Sequence, residues 1–303
     1  MKLRKLSLKS REIFQAHLRN YKCNLAAYSF ENIYIWKCLF DIRWAIIENN
    51  LCIFFKDSFG TFLYLPPLGK KPEALLTGGL FAFLDSLNRN SEVSRIENVR
   101  EEEANFYKAL GYDVSPKPGD FIYVRQALAD LRGNKYKSKR SSLNFFIKNY
   151  PARVFAYKAQ HAKECLKLYK NWATARAKET TDTFYIGMMD DSYKALEVLL
   201  KSQKGLRYQG IVVEIGGKIC AFSLGYELNG QCFCILYEVA DLSYKGIAQF
   251  IFQEFCRRLE DYKYINAMDD SGLDSLRRIK LSYRPAEIIP AYIVKQKNIQ
   301  SRS

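Results

Sequence analysis

Residues 208–240 read YQGIVVEIGGKICAFSLGYELNGQCFCILYEVA. Three runs rich in β-branched and aromatic residues are separated by Gly216-Gly217 and Asn229-Gly230. Both dipeptides tolerate the positive φ that a tight two-residue hairpin requires. The stretch predicts an antiparallel meander over 208–215, 218–227 and 231–240. Downstream, the patterning predicts a helix over 245–262, a strand over 264–267, a helix over 271–281 and a last strand over 286–294. Upstream it predicts a strand over 153–157 and helices over 162–177 and 192–201. A meander followed by a crossover helix and another strand gives a mixed sheet with helices on both faces.

The first half runs in the same order. A strand over 3–8 and helices over 10–21 and 31–40 precede strands over 43–48, 51–56 and 61–65, with Asn49-Asn50 and residues 57–60 as the turns. Then come a helix over 72–88, a strand over 95–99, a helix over 100–110 stopped by Gly111, and a closing strand over 112–124. The expected fold class is α+β (mixed α/β), with two domains, 1–130 and 131–303, each a mixed, mostly antiparallel sheet flanked by helices. This order resembles two acyl-CoA N-acyltransferase (GNAT-like) domains in tandem.

The chain has 303 residues, 48% of them hydrophobic, which is enough for two cores. Its formal net charge is +15. Residues 131–163 carry nine Lys or Arg and no acid, so a polyanion, either nucleic acid or an anionic membrane surface, is the expected partner. No apolar run approaches the ~20 residues of a membrane span, and no signal peptide is evident. The expected location is cytoplasmic, with a peripheral place at the inner membrane face left open. The eight cysteines and two histidines show no CxxC or other paired zinc spacing; reduced core thiols and no metal are expected.

Four segments can carry chemistry. Ser243-Tyr244-Lys245-Gly246-Ile247-Ala248 opens the helix after the meander. Small residues at a helix N-terminus admit phosphate, so Lys245 and Gly246 are candidate contacts; ordinary turn chemistry accounts for them equally well. In the GNAT pattern a Gln or Arg leads this segment, and Ser243 stands in its place. A helix over 134–150 sets Arg132, Lys135 and Lys139 on one exposed ridge and Tyr136, Leu143, Ile147 and Tyr150 on a packed stripe. Arg140 falls on that stripe, where it meets either an anion or a structural partner. Residues 266–285 run from a strand end through Asp269-Asp270 into a helix with a Leu273, Leu276 and Ile279 or Lys280 stripe, followed by Tyr283. The two aspartates either cap the helix or hold an amine. Finally, Glu238 lies near the end of the third meander strand among apolar neighbours that would raise its pKa.

Residues 28–36 (YSFENIYIW), 63–69 (LYLPPLG), 131–140 (LRGNKYKSKR) with Asn144-Phe145, and 266–285 together resemble the bacterial proteins related to the C-terminal domain of phosphatidylglycerol lysyltransferase. The resemblance implies a tandem acyltransferase fold and transfer of an aminoacyl group from aminoacyl-tRNA to an amine or hydroxyl. The lysyltransferases use the glycerol headgroup of phosphatidylglycerol as acceptor, and the similar peptidoglycan-bridge enzymes use a lipid-linked peptide. The multi-span membrane portion of the lysyltransferases has no counterpart in this sequence, which leaves the acceptor open. Under this reading Glu238 is the general base and Tyr283 the general acid. Arg132, Lys135, Lys139, Arg140, Lys245 and Gly246 meet tRNA phosphates or the oxyanion, while Asn266, Asp269, Asp270 and Arg277 bind the aminoacyl substrate. No cofactor beyond the aminoacyl-tRNA donor is expected. The alternatives are an acyl-CoA-dependent N-acyltransferase and a non-catalytic tRNA- or membrane-binding protein.

Overall fold

A computed structural model describes residues 2–21, 23–69, 73–89 and 91–297, the Ser91 side chain excepted. The chain divides into two compact units, residues 1–120 with 289–303, and residues 121–288.

The first unit holds β1 (Arg4–Lys5), α1 (Arg11–Leu18), α2 (Phe30–Ile35), β2 (Asp41–Ile47), β3 (Asn50–Lys56), β4 (Thr61–Leu63), α3 (Ala74–Leu87), β5 (Arg95–Val99), α4 (Glu101–Ala109) and the start of β6 (Asp113–Val124). The expected strand over 3–8 shortens because Leu8–Ser10 coil into a 3-10 turn. Ser29 Oγ accepts the Asn32 N–H at 3.3 Å and starts α2, which gives way to a 3-10 turn over Trp36–Cys38. The β2–β3 turn centres on Glu48 and Asn49, with φ of 50° and 62°, and closes on the pair Ile47↔Asn50. It lies one residue ahead of the expected Asn49-Asn50. Pro72, the expected start of the following helix, lies outside the described residues. Cys52, Phe54, Leu63, Leu80, Phe81, Ile96 and Tyr107 form the core of this unit.

The second unit holds α5 (Arg125–Asp130), α6 (Lys137–Asn149), β7 (Arg153–Ala156), α7 (Ala162–Ala177), α8 (Thr183–Lys201), β8 (Gln209–Ile215), β9 (Lys218–Asn229), β10 (Cys232–Ala240), α9 (Ile247–Arg258), β11 (Tyr264–Asn266), α10 (Asp274–Leu281) and the start of β12 (Glu287–Lys295). Gly216 and Gly217 take φ of 57° and 78° in the β8–β9 turn, as the dipeptide required. Helix α8 starts nine residues before the expected 192 because Asp182 caps it, accepting the Phe184 and Tyr185 N–H groups at 3.0 and 3.2 Å. Its core gathers Phe121, Tyr136, Phe146, Ile247, Ile251, Phe255 and Ile265. Phe146 is fully buried, and truncating such a side chain to Ala costs about 3–5 kcal/mol.

The strands of the two units follow the same order. In the first unit it is β1-β2-β3-β4-β5-β12, with only β4 and β5 parallel. In the second it is β7-β8-β9-β10-β11-β6, with only β10 and β11 parallel. The expected repeat is therefore present, with one exchange: β12 follows β5 in the first order, and β6 follows β11 in the second. The division also falls ahead of the expected 130/131 break. Gln253 Nε2 and Arg257 Nε, both on α9, donate to the Ala129 carbonyl at 2.9 and 3.1 Å, which ties α5 to the second unit. All eight cysteines are thiols, buried except Cys38. No described helix is long and apolar enough to cross a membrane.

Candidate functional site

Strands β10 and β11 share three pairs, the last being Cys234↔Asn266. Beyond it β10 continues beside β9 to Ala240 with a bulge between Ile235 and Tyr237, while the chain leaving β11 enters the 267–273 loop. A cavity of about 710 Å3 lies where the parallel pairing stops, a size typical of small-molecule sites. The bulge lets the adjacent Ile235 and Leu236 both face it. The opposing Tyr237 sends its hydroxyl to the Ser192 carbonyl at 2.9 Å.

Glu238 and Tyr283 both line this cavity. Glu238 is an exposed residue on the cavity wall; the loss of water around its carboxyl raises it from 4.5 to about 8, with the Lys280 charge pulling it down. Tyr283 is 8% exposed. Burial first, and the Glu238 charge second, push its hydroxyl well above the usual tyrosine range. The Phe252 ring meets it edge-on at 4.8 Å, and Tyr136 donates its hydroxyl to the Tyr283 carbonyl at 3.1 Å. Lys139 Nζ sits 4.1 Å from the Tyr283 ring centre, and burial lowers its pKa. Lys139 is thus turned toward Tyr283 and leaves the expected exposed ridge, while Arg132 and Lys135 stay exposed. Arg132 pairs with Asp130 at 3.3 Å.

The packed stripe of α6 also differs from expectation. Phe146 is buried, whereas Ile147 is 56% exposed; Leu143 keeps its expected place on the buried face. Arg140 resolves as a structural brace: its Nη1 donates to the Leu131 carbonyl and to the Gly133 carbonyl at 2.6 Å, across a turn in which Leu131 has φ of 51°.

The aspartate pair splits. Asp269 lines the cavity, and its Oδ1 accepts the Ser271 N–H at 2.7 Å. Asp270 is 3% exposed and does not line the cavity. It holds Arg277 at 2.9 Å and accepts the Gly272 N–H at 3.1 Å. Asn266 is fully buried, and its Oδ1 accepts the Met268 N–H at 2.5 Å. Asp270, Arg277 and Asn266 shape the loop that presents Asp269. Leu273, Leu276, Ile279 and Lys280 face the cavity, and α10 has no buried residue.

Gly246 caps α9 with φ of 92°. A Cβ there would lie 2.1 Å from the Ser142 carbonyl oxygen, so the glycine is required by the close approach of α6. Lys245 Nζ stacks 4.8 Å from the Phe145 ring centre, also on α6. Neither residue lines the cavity.

The sequence reading missed the α7–α8 wall, where Trp172, Arg176, Tyr185 and Met188 line the cavity. Tyr185 and Met188 lay outside the expected helix over 192–201, and the packing of α7 on the longer α8 turns this wall toward the cavity. It also missed Tyr123, on the strand exchanged into this sheet. Among the described residues no group of His, Cys, Asp or Glu could hold a metal ion.

The family described as phosphatidylglycerol lysyltransferase, C-terminal, matches residues 19–295. An uncharacterised protein of Mycoplasmoides gallisepticum is 28% identical over 218 residues, 68% of this chain and 66% of its own length. The chain thus spans slightly less than two thirds of that curated relative. A conserved protein of unknown function from Bacteroides thetaiotaomicron has the same fold over 98% of this chain and all of its own, at 26% identity and a TM-score of 0.86. L-PGS from Bacillus licheniformis aligns over 95% of this chain and 92% of its own, at 16% identity and a TM-score of 0.61. A tandem GNAT protein from the clavulanic acid biosynthesis pathway covers 97% of each chain at 9% identity and a TM-score of 0.53.

Proposed function

The chain belongs to the phosphatidylglycerol lysyltransferase C-terminal family, and from that premise we propose that it is an aminoacyltransferase, moving an aminoacyl group from aminoacyl-tRNA to a hydroxyl or amine. The observation that carries this reading is the placement of Glu238 and Tyr283 in one cavity at the end of a parallel strand pair.

Transfer from an ester needs a base for the acceptor proton and an acid for the departing ribose oxygen. Glu238, titrating at about 8, takes the proton as the acceptor oxygen or nitrogen bonds to the ester carbon. The carbon–oxygen bond to ribose then breaks, and Tyr283, protonated throughout the neutral range, gives its proton to that oxygen. Asp269 is the candidate for the α-ammonium group. Asp270 is already engaged with Arg277. Lys139, Lys135 and Arg132 are the candidates for tRNA phosphates, Arg132 by exchanging its Asp130 partner for a phosphate. An acyl-CoA donor is disfavoured because the backbone approach made at Gly246 is to α6.

Binding to aminoacylated and deacylated tRNA across a salt series, with acyl-CoA as competitor, tests the reading. A preference for the charged tRNA that acyl-CoA does not erode is expected, together with a transfer rate that rises with pH through about 8. Equal binding of both tRNAs with tight acyl-CoA binding would replace it with a CoA-dependent acyltransferase.

A further inference from the structure

Helices α7 and α8 give the cavity one wall, with Trp172 and Arg176 from α7 and Tyr185, Met188 and Met189 from α8. Polar ties hold this wall in place. Tyr169 of α7 donates its hydroxyl to the Met189 carbonyl at 3.0 Å, and Tyr237 of β10 donates to the Ser192 carbonyl at 2.9 Å. A ligand that packs on α8 therefore spends little free energy on ordering it. The Trp172 ring meets the Tyr169 ring at 5.4 Å between centres. Ile235 and Leu236 of β10 face the same space, as do Leu273, Leu276 and Ile279 along α10. Helix α10 buries none of its residues, so its apolar stripe is left for whatever enters the cavity.

The charged groups on these walls are matched from within the protein. Arg176 Nη1 lies 3.1 Å from Glu179, three residues on. Asp182 turns Oδ1 to the Phe184 and Tyr185 N–H groups, at the positive end of α8. Lys280 gives its Nζ to the Ala267 and Met268 carbonyls at 2.5 and 3.1 Å. Glu238 and Asp269 are the two carboxylates given roles in the transfer itself. A cationic side chain entering here would meet Arg176 and find no carboxylate left over. The ring face of Trp172 attracts cations, but Arg176, four residues along the same helix, lies on the same side of it. Thioethers adapt to apolar shapes, and an ammonium desolvated among them loses its hydrogen bonds to water. We infer that the α7–α8 wall is the specificity pocket for the aminoacyl group, and that it takes a large apolar side chain of the leucyl, methionyl or phenylalanyl kind in preference to a cationic or a small one. As a statement about the donor, this rests on the function proposed above; as a statement about an apolar pocket, it does not.

Amino-acid amides test the pocket in the full chain without tRNA. Leucinamide, methioninamide and phenylalaninamide are titrated against lysinamide and alaninamide, with binding followed by saturation-transfer NMR. The apolar amides are expected to bind about tenfold or more tightly than lysinamide and alaninamide. Trp172→Ala is expected to remove most of that margin. Met188→Glu, at a half-buried helical position, adds a carboxylate to the wall and is expected to turn the preference toward lysinamide, so the outcome does not depend on Trp172→Ala folding. Lysinamide binding as tightly as leucinamide, binding of no amide, or a preference that the folded variants leave unchanged overturns the inference. A preference for the apolar amides in protein that does not favour charged tRNA leaves the pocket standing and removes the aminoacyltransferase reading alone. Leucyl and lysyl groups transferred at equal rates from their tRNAs would keep that reading and remove the pocket.

Discussion

Replacing Glu238 with Gln removes an ionisation that the fold opposes. The carboxyl moves from 4.5 in the unfolded chain to about 8 in the folded one. Between those values the folded chain holds a proton that the unfolded chain has released, so this group makes stability fall as pH rises through that window. Below 4.5 both states are protonated and there is no penalty; above 8 the penalty is complete. For a fully dry carboxyl the displacement corresponds to roughly 5 kcal/mol. Glu238 faces a cavity that water enters, and screening there reduces the expected penalty to roughly 1–2 kcal/mol. An amide of the same shape does not ionise. Thermal unfolding followed by circular dichroism should give Glu238→Gln a Tm close to that of the wild type at pH 5, and one higher by roughly 3–6 °C at pH 9. A difference that is the same at both pH values, or a variant less stable than the wild type at pH 9, would refute the reasoning.

Arg277→Ala leaves the buried Asp270 carboxylate without its partner. Urea denaturation should show a loss of about 1–3 kcal/mol, and Asp270→Asn in the same background should recover part of it. Gly246→Ala puts a Cβ against the Ser142 carbonyl at a left-handed φ; the expected loss is about 1–3 kcal/mol by the same method, with faster amide exchange in α6. Lys135→Ala and Arg132→Ala, both exposed, should leave the Tm unchanged and each lower the slope of log tRNA affinity against log salt by about 0.7–0.9.

The element order was legible because its turns depend on local chemistry. Gly216-Gly217 supports the β8–β9 hairpin through its own φ preference, and Gly111, at φ of 86°, ends α4 in the same way. The exchange of β6 and β12 was not legible. Both read as closing strands, and their destination is set by pairings such as Tyr292↔Val99 and Ile265↔Tyr123, across sequence separations that no local pattern records. The site divides similarly. Glu238 and Tyr283 were singled out from the fold resemblance, and both line the cavity. For Arg140 and Asp270 the sequence left a structural role and a ligand both open, and the choice depends on which backbone carbonyl or side chain comes within reach.

The exchanged strands also bear on how the protein is made. During synthesis β5 emerges with one edge unoccupied, and its partner β12 is among the last described strands to leave the ribosome. Until then the first unit carries an open strand edge of the kind that recruits other chains. A fragment covering residues 1–120 would keep that edge open permanently, whereas supplying residues 287–295 as a separate peptide should close it. Chaperones would be needed over the interval between the emergence of β5 and that of β12.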